Sequence, residues 1–410
     1  MLDRVIRRAR LADAPDLVEI GIAAGRIAAI GGDLGAGETP SLDAEACLVV
    51  PGLVESHLHL DKACILDRAA AAEGPVKEAV AATTRAKRDF TPEDVYARGR
   101  RVLERSIAQG TMRVRTHVEL DPGIGLRGLE GVEALARDFA WAVDIEVCVF
   151  PQEGMLNNPG TEALLIEGLR RGARVLGACP YTDSDPEGQI DRIFAIARDF
   201  DVDIDMHLDM ADGPEGMLAE SVCRKTEEYG WGGRVVIGHA SQLSFLPPAR
   251  LDVVARRLAS AGVGVVVLPA TDLFLIGRSF DHAVPRGVPP VQHLHDHGVA
   301  CAIATNNVLN PFTPYGDCSL LRMANLAANV AQIGSPERLG TCLEMVTTRA
   351  AALLRLPGYG IAVGHAADLV AIDVADPAGA VAEIALPLWG VKGGRVSFVR
   401  PRAVLYPPGA

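Results

Sequence analysis

Short runs of β-branched and other apolar residues recur through the middle of the chain, separated by longer amphipathic stretches. They fall at Cys47–Val50 leading into SHLH, then at Arg113–Glu119, Ile145–Phe150, Arg174–Cys179, Val202–His207, Arg234–His239, Val263–Leu268 and Val299–Thr305. From the second run to the seventh, the starts lie at 113, 145, 174, 202, 234 and 263. A pitch of about 30 residues is what one strand, one helix and two short loops occupy in a βαβ unit. The stretches between fit helices. Thr91–Gln109, for example, opens with an N-cap Thr91, Pro92 and an acidic first turn ahead of an amphipathic run. Eight such units predict a (β/α)8 TIM barrel. Strand count alone does not separate it from a doubly wound open sheet. The two ends read differently: DLVEIGIAAGRIAAIGG near the start and IAVGHAADLVAIDV after Gly360 alternate apolar and polar positions between glycine turns. That pattern predicts short antiparallel strands, and so a small composite β-domain, sandwich-like, from residues 1–50 plus 360–410, packed on a barrel spanning 51–359.

Composition narrows the class. A chain of 410 residues with 49% hydrophobic and 22% charged residues has ample material for a large core, which excludes a mainly disordered protein. Forty basic against 52 acidic side chains leave a net charge of −12, which argues against a nucleic-acid or anionic-membrane partner. No apolar run reaches the length of a membrane span, and the early arginines are not followed by the apolar core of a signal peptide. Eight scattered cysteines form no CxxC pair. The expectation is a cytoplasmic protein with reduced thiols, with homo-oligomerisation left open.

Ten histidines are present, and five of them fall at predicted strand ends: His57 and His59 in an H-x-H, then His117, His207 and His239. Residues i and i+2 of a strand face the same way, so His57 and His59 can share one ion. In a (β/α)8 barrel the C-terminal ends of different strands converge on one mouth, so a histidine from another strand can complete a three-nitrogen face. Each imidazole taken alone satisfies a local hydrogen bond more often than it binds metal; five at strand ends shift the balance to a metal site.

PGLVESHLHLDK resembles the first-strand motif of the amidohydrolase superfamily. RVRTHVEL, VFPQEGML, the HLDM segment, VVIGHAS and TNNVLNPF–PYGDCSLL follow in the order seen in its cytosine deaminase branch, and GYGIAVGHAADLVAID resembles that family's composite β-domain. HxHLDK is also similar to the triazine-ring hydrolases of the branch. The resemblance implies a deformed (β/α)8 barrel holding one divalent metal ion, zinc or iron, with manganese as a further option. It implies His57, His59 and His207 as metal ligands, His239 beside the attacking hydroxide and Gln152 on the substrate ring. Lys62 follows the H-x-H closely enough to sit near the metal or an anionic substrate oxygen; an exposed lysine opening a loop is the other reading.

Two departures from the family pattern stand out. Where the deaminases have HxDE, this chain has His207-Leu208-Asp209-Met210, so the proton-shuttling glutamate is a methionine. Where the eighth strand should end in a metal-bound aspartate, it reads Thr305-Asn306-Asn307. Asn306 can ligate through its amide oxygen or orient a water, but cannot accept a proton. His239 is the remaining base, with Asp209, Asp212 and Asn307 nearby in sequence. Met210 either makes the pocket more apolar, suiting a bulkier substrate, or packs against the barrel wall. The expectation is a metal-dependent hydrolase of a C–N bond in a small nitrogen heterocycle, poor at cytosine deamination. The rival is a non-catalytic barrel serving binding or assembly, against which the intact histidines and Gln152 count.

Two other motifs are set aside. Gly123–Gly128 spells G-x-G-x-x-G, but Asp121-Pro122 separate it from the strand, which a dinucleotide turn does not allow. His293, His295 and His297 in QHLHDHG precede the eighth strand, and i, i+2, i+4 spacing does not place all three on one helical face, so a solvated face is expected.

Overall fold

The computed structural model describes residues 1–407 except 36, 71, 72 and 75. Four short strands come first: β1 (Arg4–Ala9), β2 (Val18–Ala23), β3 (Arg26–Gly31) and β4 (Ser41–Asp43), in the sheet order β3-β2-β1-β4. β5 (Leu48–Pro51) follows. Next come the eight strands of one parallel sheet: β6 (Leu53–Leu58), β7 (Thr111–Glu119), β8 (Asp144–Phe150), β9 (Val175–Ala178), β10 (Asp203–Leu208), β11 (Val235–His239), β12 (Val263–Val267) and β13 (Cys301–Ile303). They lie in strict sequence order, which a doubly wound sheet does not do. Helices alternate with them, among them Pro92–Ala108, whose N-cap Thr91 accepts from the Asp94 amide as anticipated.

The barrel closes at one end only. β6 meets β13's continuation through a parallel bridge between Leu58 and Asn306. The Asn306 amide donates to the His57 carbonyl (2.8 Å), and the His59 amide donates to the Asn306 carbonyl (3.0 Å). The buried Glu55 carboxylate adds a second tie, accepting from the amides of His57 (3.2 Å) and Thr305 (3.1 Å). Closure is therefore made at the C-terminal ends of the strands, where barrel active sites are built.

β14 (Leu369–Ile372), β15 (Pro387–Lys392) and β16 (Arg395–Val399) complete the second small sheet, in the order β16-β15-β14-β5. Here the sequence reading needs a correction. The run at Cys47–Val50 is not the start of the first barrel strand: Leu48–Pro51 pairs antiparallel with β14, and the barrel strand begins at Leu53. Pairing with a segment over 300 residues away leaves no local signal. Ile6, Ile20, Ile22 and Ile27 of the first sheet share a core with Leu369, Trp389 and Val391 of the second, so the two ends of the chain form one sandwich. It docks at the other end of the barrel from the closure. There Lys392 bonds Asp144 and Asp368, each at 2.7 Å, and Arg113 bonds the same two carboxylates. Among the described residues no helix is long and apolar enough to cross a membrane, and all eight cysteines are free thiols.

Candidate active site and metal centre

His57 and His59 from β6 and His207 from β10 converge. His57 Nε2 lies 3.2 Å and His59 Nε2 3.1 Å from His207 Nε2, and all three side chains are buried. Burial, reinforced by the neighbouring imidazoles and at His59 and His207 by Lys62, drives each well below the usual histidine range, so all three are neutral. Three lone-pair-bearing nitrogens this close repel unless protons or a cation lie between them. Around a tetrahedral ion with bonds of about 2.0–2.1 Å, nitrogens sit about 3.3 Å apart, close to the spacing found here. The donor set fits a divalent transition metal.

Packing fixes the ring planes. His117 stacks on His57 (centroids 3.8 Å, 25°), and Phe150 stacks on His207 (4.6 Å, 13°). Gly238 leaves the room His57 needs, since a Cβ there would come within 3.0 Å of the imidazole. His117 is not a fourth member of the centre: its Nε2 lies 3.3 Å from Asp205 Oδ1, and the strand runs on past it to Glu119. Asp205, also 3.9 Å from His57 Nδ1, is held by Arg115 (3.0 Å).

His239 ends β11 beside the cluster in a left-handed conformation (φ +70°), as does Asn306 after β13 (φ +65°). Such backbones cost roughly 1–3 kcal/mol and gather at functional sites. His239 Nδ1 lies 2.7 Å from Asp272 Oδ1, so it donates there and leaves Nε2 as an acceptor. Asn306 Nδ2 approaches that Nε2 at 3.4 Å, and its Oδ1 is buried with no hydrogen-bond partner among the described residues, free for a cation or a water. Asp272, in the helix Pro269–Leu275 after β12, is a site residue that the sequence reading missed. Burial raises its carboxyl while His239 pulls it back down. The one available signal was its place just beyond a strand end, in VVVLPATD.

Lys62 is not the exposed lysine of a loop. It is buried, with Nζ donating to Glu119 Oε1 (2.7 Å) and Gln152 Oε1 (2.9 Å) and lying 4.6 Å from the Phe312 ring centre. Glu119 is shared with a second buried lysine, Lys87, at 3.0 Å, and Lys87 also bonds Asp121 and Glu153. Gln152 turns its amide nitrogen toward Cys179 Sγ (3.4 Å).

Other residues singled out from the sequence serve the scaffold. Asp209 accepts from the amides of Leu218 (2.7 Å) and Ala219 (3.1 Å), so its carboxylate is engaged at the start of the next helix. Burial pushes that carboxyl up to about 6. Asp212 clips a loop through the amides of Gly277 and Ser279, and Asn307 accepts from Asn310 Nδ2 at 2.7 Å. The G-x-G-x-x-G amides that could cradle a pyrophosphate are already taken, since Gly123 and Ile124 donate to Asp121. Met210 is buried in an apolar group with Ala79, Leu275, Ile276 and Phe312, and its sulfur lies 3.8 Å from the Tyr181 hydroxyl. A cleft of about 1130 Å³ opens beside it, lined by Tyr181, Met210, Leu275, Lys77 and Thr84.

The comparisons with known proteins agree with this geometry. Residues 101–398 match the amidohydrolase family model. The chain is 28% identical over 414 residues to N-isopropylammelide isopropyl amidohydrolase of Pseudomonas sp. strain ADP, covering 96% of each protein. Its fold matches 5-methylcytosine deaminase of Klebsiella pneumoniae with a TM-score of 0.93 at 25% identity, covering 99% of this chain and 100% of that one. It matches N-isopropylammelide isopropylaminohydrolase of Burkholderia multivorans with a TM-score of 0.84 at 31% identity, covering 97% and 98%. The chain belongs to the amidohydrolase family, within its cytosine deaminase-like branch, and is a hydrolase of non-peptide C–N bonds.

Proposed function

We propose that the protein hydrolyses an exocyclic amine or a ring amide of a small nitrogen heterocycle, and that it is a poor cytosine deaminase. The observation that carries this reading is the His239–Asp272 pair beside three converging imidazole nitrogens, with no carboxylate at position 210. His57, His59 and His207 hold one divalent ion, and the unpartnered Asn306 Oδ1 is a fourth donor or a water acceptor. Such an ion supplies Lewis acidity and lowers the pKa of water at the site toward about 7.

The chain's own residues do the rest. Asp272 keeps the proton on His239 Nδ1, so His239 Nε2 takes a proton from the nucleophile and returns it to the leaving nitrogen. Lys62 Nζ and the Gln152 amide place donors on one side of the substrate ring, where a carbonyl oxygen bonds best. Met210 offers no proton to a ring nitrogen, which favours substrates whose leaving group needs none there. A small heterocycle as substrate agrees with the two relatives named for N-isopropylammelide.

The test restores the two departures. Asn306→Asp with Met210→Glu is expected to raise cytosine or isocytosine deamination by about 10²-fold or more, as regaining a general acid/base does. No gain in a folded, metal-loaded double variant would contradict this account of positions 210 and 306.

A further inference from the structure

The QHLHDHG segment does more than present a solvated face. His293 lies in the last turn of the short helix Val291–Asp296, and His297 follows at its C-terminal end. Their i, i+4 spacing stacks the rings, with centroids 4.4 Å apart and an interplanar angle of 29°, while His295 stands outside the pair. Asp252, on the neighbouring helix Pro248–Ala261, puts Oδ1 2.9 Å from His293 Nε2 and 3.4 Å from His297 Nε2.

Hydrogen bonding already selects the ligand form of one ring. His297 Nδ1 lies 2.9 Å from the His293 carbonyl and donates to it, so Nε2 carries the lone pair and points its charge density at a carboxylate. That contact is unfavourable unless a proton or a cation intervenes. His293 Nε2 is buried and has no in-line hydrogen-bond partner, although the Asp252 oxygen is near. Two nitrogens and one carboxylate oxygen, all within 4.8 Å of one another, thus converge on a half-buried spot.

We propose that Asp252, His293 and His297 form a second metal site, for a zinc-class divalent cation, on the outer helical layer of the barrel. Two imidazoles and a carboxylate suit Zn²⁺, Ni²⁺ or Cu²⁺ and not Mg²⁺ or Ca²⁺, which prefer oxygen ligands. The site shares no residue with the His57 centre. An ion here ties Pro248–Ala261 to Val291–Asp296, the helix that leads into β13 and so to Asn306. It is a structural clamp on the last barrel unit, independent of the reading of the active site.

Untagged, chelator-stripped protein titrated with zinc by isothermal calorimetry tests this. Wild type is expected to take one equivalent more than His293→Gln/His297→Gln, whatever the His57 centre binds, with hydrolytic activity unchanged. Both substitutions are on partly exposed positions, so the count does not depend on disturbing the core. Zinc should also raise the melting temperature of wild type by several degrees more than that of the variant. Equal stoichiometry in wild type and variant, or an extra phase seen only at millimolar zinc and indifferent to the substitutions (an adventitious ion only), would each overturn the proposal.

Discussion

His239 can act as a base because of a residue that touches neither substrate nor metal. Asp272 fixes the tautomer by accepting a hydrogen bond from Nδ1–H, as a buried carboxylate does for the histidine of a catalytic triad. Asp272→Asn keeps the volume and presents an amide that bonds the wrong tautomer. The expected result is a kcat lower by about 10²–10⁴ with KM little changed. A kcat within about threefold of wild type would remove His239 from the proton path. The histidines were legible in the sequence because each stands at the end of an apolar run, where barrel geometry brings them together. Asp272 was not, because its partner lies 33 residues away, at the end of the preceding barrel strand. Lys62 was misjudged in one of its two readings for the same reason: the carboxylate that allows its burial is 57 residues distant.

At the scale of elements, the top of the barrel is held by a chain of buried charges. Lys62 hangs from β6 by the loop after it, Glu119 ends β7, and Lys87 and Asp121 sit on either side. Burial alone would raise the Glu119 carboxyl, but Lys62 and Lys87 outweigh it and hold it well below the ordinary carboxylate range. The sign of the linkage follows. A depressed carboxyl contributes stability that is complete above the ordinary glutamate pKa of about 4.3 and is lost as the pH falls toward the depressed value. Glu119→Gln leaves two buried ammonium groups short of a partner and is expected to cost about 3–5 kcal/mol at pH 7. Urea unfolding of both proteins across a pH series checks this, and the gap should narrow below about pH 4. A gap that stays constant down to acid unfolding would show that Glu119 contributes through shape and not charge. Secondary structure itself was readable where the signal is local, as at the Thr91 cap and the βα pitch. It was misread at Cys47–Val50, where the partner strand decides the sheet.

At the scale of the whole molecule, barrel and composite sandwich were both visible in the sequence, one as a period of about 30 residues and the other as alternation confined to the ends. What a linear reading could not supply is the manner of closure, in which Glu55 and Asn306 tie the first strand to the last at the very place where the imidazoles meet. Fold and site are thereby coupled: Asn306, whose amide approaches His239, also seals the barrel. Everything proposed for the site depends on the three-nitrogen centre. Its most direct test is the metal content of untagged protein purified without chelator, wild type against His207→Ala, by inductively coupled plasma mass spectrometry. His207→Ala should carry one equivalent less of zinc, iron or manganese than wild type and show no hydrolysis. Equal metal content in the two folded proteins would leave His57, His59 and His207 without the role assigned to them.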